Sequence, residues 1–191
     1  GRIRAPRFEA VAALAGPLLP EPARQALSRS ADGLARLDAA FRVTRAPSGE
    51  TGLALDGGAQ AGRLSLTGRL APDGAWTDTR LRFDLADRRQ AFQALGLPVP
   101  RQSGPGELVL TQEAGRLSGT LAGPGLSIAV ESEAAAPARL AVQADGIGQI
   151  LPDAAARLLP DGLVDLHARL GTSPEAITLG EVVVNLGAAT A

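Results

Sequence analysis

The sequence predicts a mainly β protein, an antiparallel curved sheet or groove with about three short helices. Three observations carry this expectation. Apolar residues alternate with polar ones in run after run, Gly, Pro, Asp or Ser closes each run, and three stretches of helical spacing each end on prolines. Each alternating run is read as shorter than eight residues, and at least eight strands are expected. The alternative is a closed β-sandwich, in which the apolar faces pack on one another.

Phe8, Val11 and Leu14 stand at helical spacing, Pro17 to Pro22 break the pattern, and Ala23 to Leu27 form a second short run. Residues 1–31 are therefore expected as a helical N-terminal segment or connector. From Gly33 the period changes to two: Leu37, Ala39, Phe41 and Val43 alternate, then Leu53 and Leu55, Leu64 and Leu66, and Leu81, Phe83 and Leu85. Asp87 to Leu95 returns to helical spacing and stops at Leu97-Pro98-Val99-Pro100, because proline cannot continue a helix. Strands resume with Leu108/Leu110, Leu117/Leu121, Leu126/Ile128/Val130 and Leu140/Val142, with Gly-Pro-Gly at 104–106 and 123–125 as turns.

A third helical stretch, Ile147 to Leu159, closes on Pro160 and leads into Val164, Leu166, Ala168 and Leu170. Ile177/Leu179 and Val182/Val184/Leu186 end the pattern, and the alternation slips by one residue across Gly180, as at a bulge or strand break. Residues 32–191 are read as one β-groove domain, divisible into repeat units at about 32–86 and 87–191. Short helix, prolines, then one-sided strands recurs three times as a loose repeat.

Composition removes most enzymatic chemistry. The 191 residues contain no cysteine and no lysine, so all nineteen basic residues are Arg, and His167 is the lone histidine. Thiolate nucleophiles, cysteine-ligated metals, Schiff bases and histidine metal clusters are excluded. No metal, no cofactor and no enzymatic activity are expected. Twenty Asp and Glu oppose the arginines for a net charge of −1, which gives no field for nucleic acid. The apolar run Ala10 to Pro20 is interrupted by Gly16 and Pro17 and reads as neither signal peptide nor membrane span. Gly1 at the start suggests a segment of a longer protein. An outer-membrane barrel would carry aromatic girdles, and five aromatics with no tyrosine argue against one.

The remaining motifs read as structural. Gly146-Ile147-Gly148 has Leu151 where a dinucleotide loop needs its third glycine, so these are turn glycines. Glu131 and Glu133 share a strand face opposite Leu126, Ile128 and Val130 and read as solvated. His167 alternates against Val164, Leu166 and Ala168 and faces outward. Arg2/Arg4/Arg7 and Arg80/Arg82/Arg88/Arg89 interleave with Asp78, Asp84 and Asp87, as on an ordinary charged strand face.

Arg82-Phe83-Asp84-Leu85, then Phe92-Gln93-Ala94-Leu95-Gly96-Leu97-Pro98-Val99-Pro100, then Gly106-Glu107-Leu108-Val109-Leu110 together resemble the AsmA-like family of Gram-negative envelope proteins. The stretch from Val164 through Ser173-Pro174-Glu175 to Val182 looks like that family's recurring unit of strand, turn and strand. The resemblance covers about residues 32–191 and rests on spacing, without invariant catalytic residues. It implies a periplasmic segment of an inner-membrane-anchored protein, with the anchor outside this chain, acting in outer-membrane biogenesis or lipid transport. It also implies phospholipid or another acyl lipid, and neighbouring domains of the same chain, as partners.

The expected site is then a face and not a residue. It comprises Leu64, Leu66, Leu81, Phe83, Leu85, Leu108, Leu110, Leu117, Leu121, Ile128, Val130, Leu140, Val142, Leu166, Leu179 and Val184. Exposing hydrocarbon to water costs about 0.8 kcal/mol per CH₂, so a two-tailed lipid of about thirty methylenes needs shelter against about 24 kcal/mol. The alternative function is a structural or protein-interaction scaffold, whose strand edges pair with neighbouring domains.

Overall fold

Eleven strands form one antiparallel sheet in which every strand pairs with its sequence neighbour, in the order β1 to β11. The structure, a computed structural model, describes residues 1–5, 36–73, 75–94, 97–113, 115–133, 137–158, 162–172 and 177–187. The strands are β1 (Arg2–Ala5), β2 (Leu37–Arg45), β3 (Thr51–Ala59), β4 (Gly62–Leu70), β5 (Trp76–Leu85), β6 (Gly106–Glu113), β7 (Arg116–Gly123), β8 (Leu126–Ser132), β9 (Ala138–Ala144), β10 (Val164–Thr172) and β11 (Ile177–Leu186). The sheet is open, with β1 and β11 at its two edges. One continuous sheet replaces the two packed sheets of the sandwich alternative.

Most strands are longer than the alternating apolar runs suggested, reaching nine residues in β2, β3, β4 and β10 and ten in β5 and β11. Polar residues flanking each apolar run, such as Thr44-Arg45 and Thr51-Gly52, continue the backbone ladder because pairing needs only N–H and C=O groups. The opening residues also differ from the helical reading of 1–31. Arg2–Ala5 form a strand on β2, with Ile3 opposite Ala39. The helical spacing of Phe8 to Leu27 lies outside the described residues.

The second expected helix is α1 (Arg89–Ala94), which joins β5 to β6. The third is divided: a 3-10 turn spans Ile147–Gln149, and α2 (Asp153–Ala156) begins after Pro152. Proline has no N–H to donate and its ring clashes with the preceding turn, so Pro152 can open a helix but cannot sit inside one. No helix among the described residues is long and apolar enough to cross a membrane.

The hairpins follow from turn chemistry. Pro124 and Gly125 link β7 to β8, and Gly125 has φ +70°, a conformation that a side chain would strain. The slip at Gly180 is a bulge: the β10–β11 register shifts between His167 and Arg169, with Glu181 at φ +48°. β5 and β6 pair across residue 86 from Asp78–Glu113 to Leu85–Gly106, so the ladder is continuous there.

Side chains alternate across a pleated strand, so the pairing register divides the sheet into two faces. One carries most of the aliphatic residues and the other most of the charges. The main core lies at one end of the aliphatic face. There Phe92 and Ala91 of α1, Ile147, and Ala156 of α2 pack on Leu85, Leu121, Leu126, Val142, Ala144 and Val164. A second cluster joins Leu37 and Ala39 to Leu55, Ala59 and Leu64.

Candidate functional site

All sixteen residues of the expected site lie on one face. Following opposed pairs from strand to strand gives a row Ala39, Gly57, Leu64, Phe83, Leu108, Leu121, Ile128, Val142, Leu166 and Val184. It crosses ten strands without a charged residue. A second row lies two residues further along the strands: Phe41, Leu55, Leu66, Leu81, Leu110, Gly119, Val130, Leu140 and Ala168. Beyond it stand Leu117, facing Gln112, and Leu179, facing Leu170.

The helical connections divide this face. Leu85, Leu121 and Val142 are buried in the core, and Phe83, Leu108, Ile128, Leu140 and Leu166 pack against it. Leu64 belongs to the second cluster. Nine of the sixteen are therefore core residues. Leu66, Leu81, Leu110, Leu117, Val130, Leu179 and Val184 belong to neither cluster, and Leu110, Leu117 and Leu179 are 37%, 52% and 59% exposed. Six of the seven lie at the end of the face away from α1 and α2; Val184, opposite Leu166 in the first row, is uncovered on the edge strand β11.

Sequence reasoning placed Phe41, Leu53 and Leu55 on strands but not in the site. Register adds all three to the same face, Phe41 opposite Leu55 and Leu53 opposite Val43. Their alternation was the available signal. Small residues leave room between the aliphatic ones: a Cβ on Gly119 would lie 2.9 Å from Leu110 Cδ2, and one on Gly68 would lie 2.4 Å from the Trp76 ring. Leu110 thus lies over Gly119, and the indole lies over Gly68.

The opposite face is a charged surface. Arg2 donates from Nε and Nη2 to the two carboxylate oxygens of Asp38, both at 2.6 Å, and holds the Asp38 carboxyl below the usual carboxylate range. Arg82 pairs with Asp84 and Glu107, each at 3.1 Å. Arg116 bonds Glu133 and lowers its carboxyl likewise, so Glu131 and Glu133 do not act as an isolated carboxylate pair. His167 Nε2 lies 3.2 Å from Asp165 Oδ1 on this face. Gly146, Ile147 and Gly148 are buried around a single 3-10 turn, as structural glycines would be.

Arg88 departs from the surface reading given to its arginine run. It is 1% exposed and lies over Gly106 and Gly123, within 3.0 Å of where their Cβ atoms would be. Alternation within its own segment carries no sign of this, because the room is made by glycines on β6 and β7.

Among the described residues no three His, Cys, Asp or Glu side chains are grouped as metal ligands. Comparison with protein-family models, with curated proteins and with solved structures finds no match to this chain.

Proposed function

We propose that the chain is a non-enzymatic, periplasmic segment of an AsmA-like envelope protein, anchored to the inner membrane outside these residues. In this reading its uncovered aliphatic face shelters lipid acyl chains during outer-membrane biogenesis or lipid transport. The observation that carries the proposal is the uncovered set Leu66, Leu81, Leu110, Leu117 and Val130 on five consecutive strands of one open sheet. Apolar patches of this kind mark binding surfaces in soluble proteins. Leaving seven aliphatic side chains part-exposed forgoes on the order of 10 kcal/mol of burial, which an apolar ligand would recover.

Dimensions agree with an acyl ligand. The uncovered stretch from Leu66 on β4 to Val130 on β8 crosses four interstrand steps, about 19 Å at ~4.8 Å each. One acyl chain spans about 15 Å, half of a bilayer core of about 30 Å. A sheet of more than about ten strands also curls as its twist accumulates, which favours a groove over a flat plate.

The test is a mass-spectrometric lipid inventory of the chain purified from a Gram-negative host, with a fluorescent fatty acid as displacing probe. Co-purifying phospholipid displaced by the probe is expected. Absence of both bound lipid and probe binding overturns the proposal. One feature favours the scaffold alternative: among the described residues β11 has an unpaired edge, and it exposes Leu179, Val182, Val183, Val184 and Leu186. In that case the purified chain carries no lipid and associates through β11.

A further inference from the structure

We propose that the charged face of β2–β6 holds a second site, for a small zwitterion that joins a phosphate to a primary ammonium, of the phosphoethanolamine type. A depression of about 490 Å³ opens there, on the side of the sheet opposite the aliphatic rows. Its volume suits a small ligand. Opposed pairs run Arg42, Ala54, Thr67, Arg80 across four strands, so two arginines flank a floor of two small residues. Among the described residues neither Arg42 nor Arg80 forms an ion pair.

The same depression holds negative charge that is only loosely paired: Arg69, which also lines it, stands opposite Asp78, and Arg116 stands opposite Glu113 but bonds Glu133 instead. Asp78 on β5 stands directly opposite Glu113 on β6, and both line it. Like charges so placed destabilise a sheet unless a cation comes between them. Asp78 has only a long 3.9 Å pair with Arg69, which also lies 3.9 Å from Glu50, and Glu113 has none among the described residues. Asp78 is two residues from Arg80 on one strand face, about 7 Å along the strand.

A lone anion bound by Arg42 and Arg80 would meet the Asp78 and Glu113 carboxylates, and a lone cation would meet the arginines. A zwitterion answers both. An α-amino acid carries its two charges on one carbon, too close to span the gap, whereas phosphoethanolamine separates them by an ethylene group. Guanidinium groups bind phosphate oxygens in bidentate fashion, and an ammonium donates three hydrogen bonds that two carboxylates can accept. The inference is independent of what the aliphatic face carries.

Calorimetric titration of the chain with phosphoethanolamine, inorganic phosphate and ethanolamine tests it. Phosphoethanolamine should bind at least tenfold more tightly than either fragment. Arg80→Gln and Glu113→Gln, both at exposed positions, should each weaken it at least fivefold with the melting temperature unchanged. Equal binding of phosphate and phosphoethanolamine, no binding of either, or binding unaffected by both substitutions overturns the proposal. Phosphatidylcholine vesicles with and without phosphatidylethanolamine then separate the sources: competition by the latter alone identifies a lipid headgroup, and its absence identifies the soluble compound.

Discussion

The guanidinium of Arg88 donates from Nη1 to the carbonyl oxygen of Pro124 at 2.8 Å, tying the segment before α1 to the β7–β8 turn. Among the described residues it forms no ion pair with a carboxylate and its Nε has no hydrogen-bond partner. Burial pushes its pKa down, opposed only by the charge of Asp87. The stem and the charge therefore have opposite effects on stability. Arg88→Met keeps an apolar stem over Gly106 and Gly123 and removes a poorly satisfied cation, so unfolding free energy should stay within about 1 kcal/mol of the parent or rise. Arg88→Ala leaves a cavity and should cost about 2–4 kcal/mol. Denaturant melts of the two variants decide: Met as damaging as Ala would mean that the hydrogen bond to Pro124 holds the turn.

Acid should loosen the start of α1. Asp87 Oδ1 accepts the backbone N–H of Arg89 at 3.0 Å, and Oδ2 accepts Arg89 Nε and Nη2 at 2.9 and 2.7 Å. The Arg89 side chain is the main reason the Asp87 carboxyl lies below its ordinary pKa, with partial burial opposing. A lowered folded-state pKa means that the stabilisation is complete above the unfolded value of about 3.9 and is lost as pH falls through the folded value. Asp87→Asn keeps an oxygen for the Arg89 N–H but not the charge. Its melting temperature should lie below the parent's at pH 7, and the gap should close as pH drops below about 4. A gap of constant size from pH 7 to pH 3 would show that the charge contributes nothing.

Two glycines of neighbouring strands should respond oppositely to one added methyl. Gly62 opens β4 at φ +151°, and a Cβ there would lie 1.8 Å from the carbonyl oxygen of Asp84. Only a shift of the β4–β5 ladder accommodates it, so Gly62→Ala should destabilise by about 2–4 kcal/mol. Gly58 on β3 has nothing within 4 Å of its Cβ position and an ordinary φ. Gly58→Ala should stabilise by about 0.5 kcal/mol by restricting the unfolded chain. Equal effects in denaturant titration would refute the register of β4 on β5.

The faces of this sheet were legible because a period of two leaves little freedom: once Leu64, Phe83 and Leu108 pair, every second residue on those strands shares their side, as far as the register shift that sets Trp76 opposite Leu70. Coverage was not legible. Leu85 and Leu110 have the same parity and chemistry, yet one is buried and the other exposed, because the connections carrying α1 and α2 fold over one end only. Pro152 was the visible sign that Ile147 to Leu159 could not be one helix. In β1, two arginines around Ile3 alternate too briefly to stand out beside the helical spacing that follows.

That difference in coverage makes Leu110 and Phe83 a decisive pair for the proposed lipid site. Phe83 packs against the core beneath the helical connections, whereas Leu110 is 37% exposed on the uncovered end and belongs to neither core cluster. Phe83→Arg forces a guanidinium among apolar neighbours with no carboxylate provided for it, and should cost about 3–5 kcal/mol whatever the protein does. Leu110→Arg can extend its charge into water along the open face, so its cost should stay below about 1 kcal/mol. If acyl chains lie on this face, a charge at position 110 must lose hydration or hold water against the lipid, and the folded variant should purify with several-fold less lipid than the parent. A Leu110→Arg variant that melts like the parent and carries as much lipid would remove Leu110 from the ligand's path. One that unfolds would show that this end of the face is closed, and would favour the scaffold.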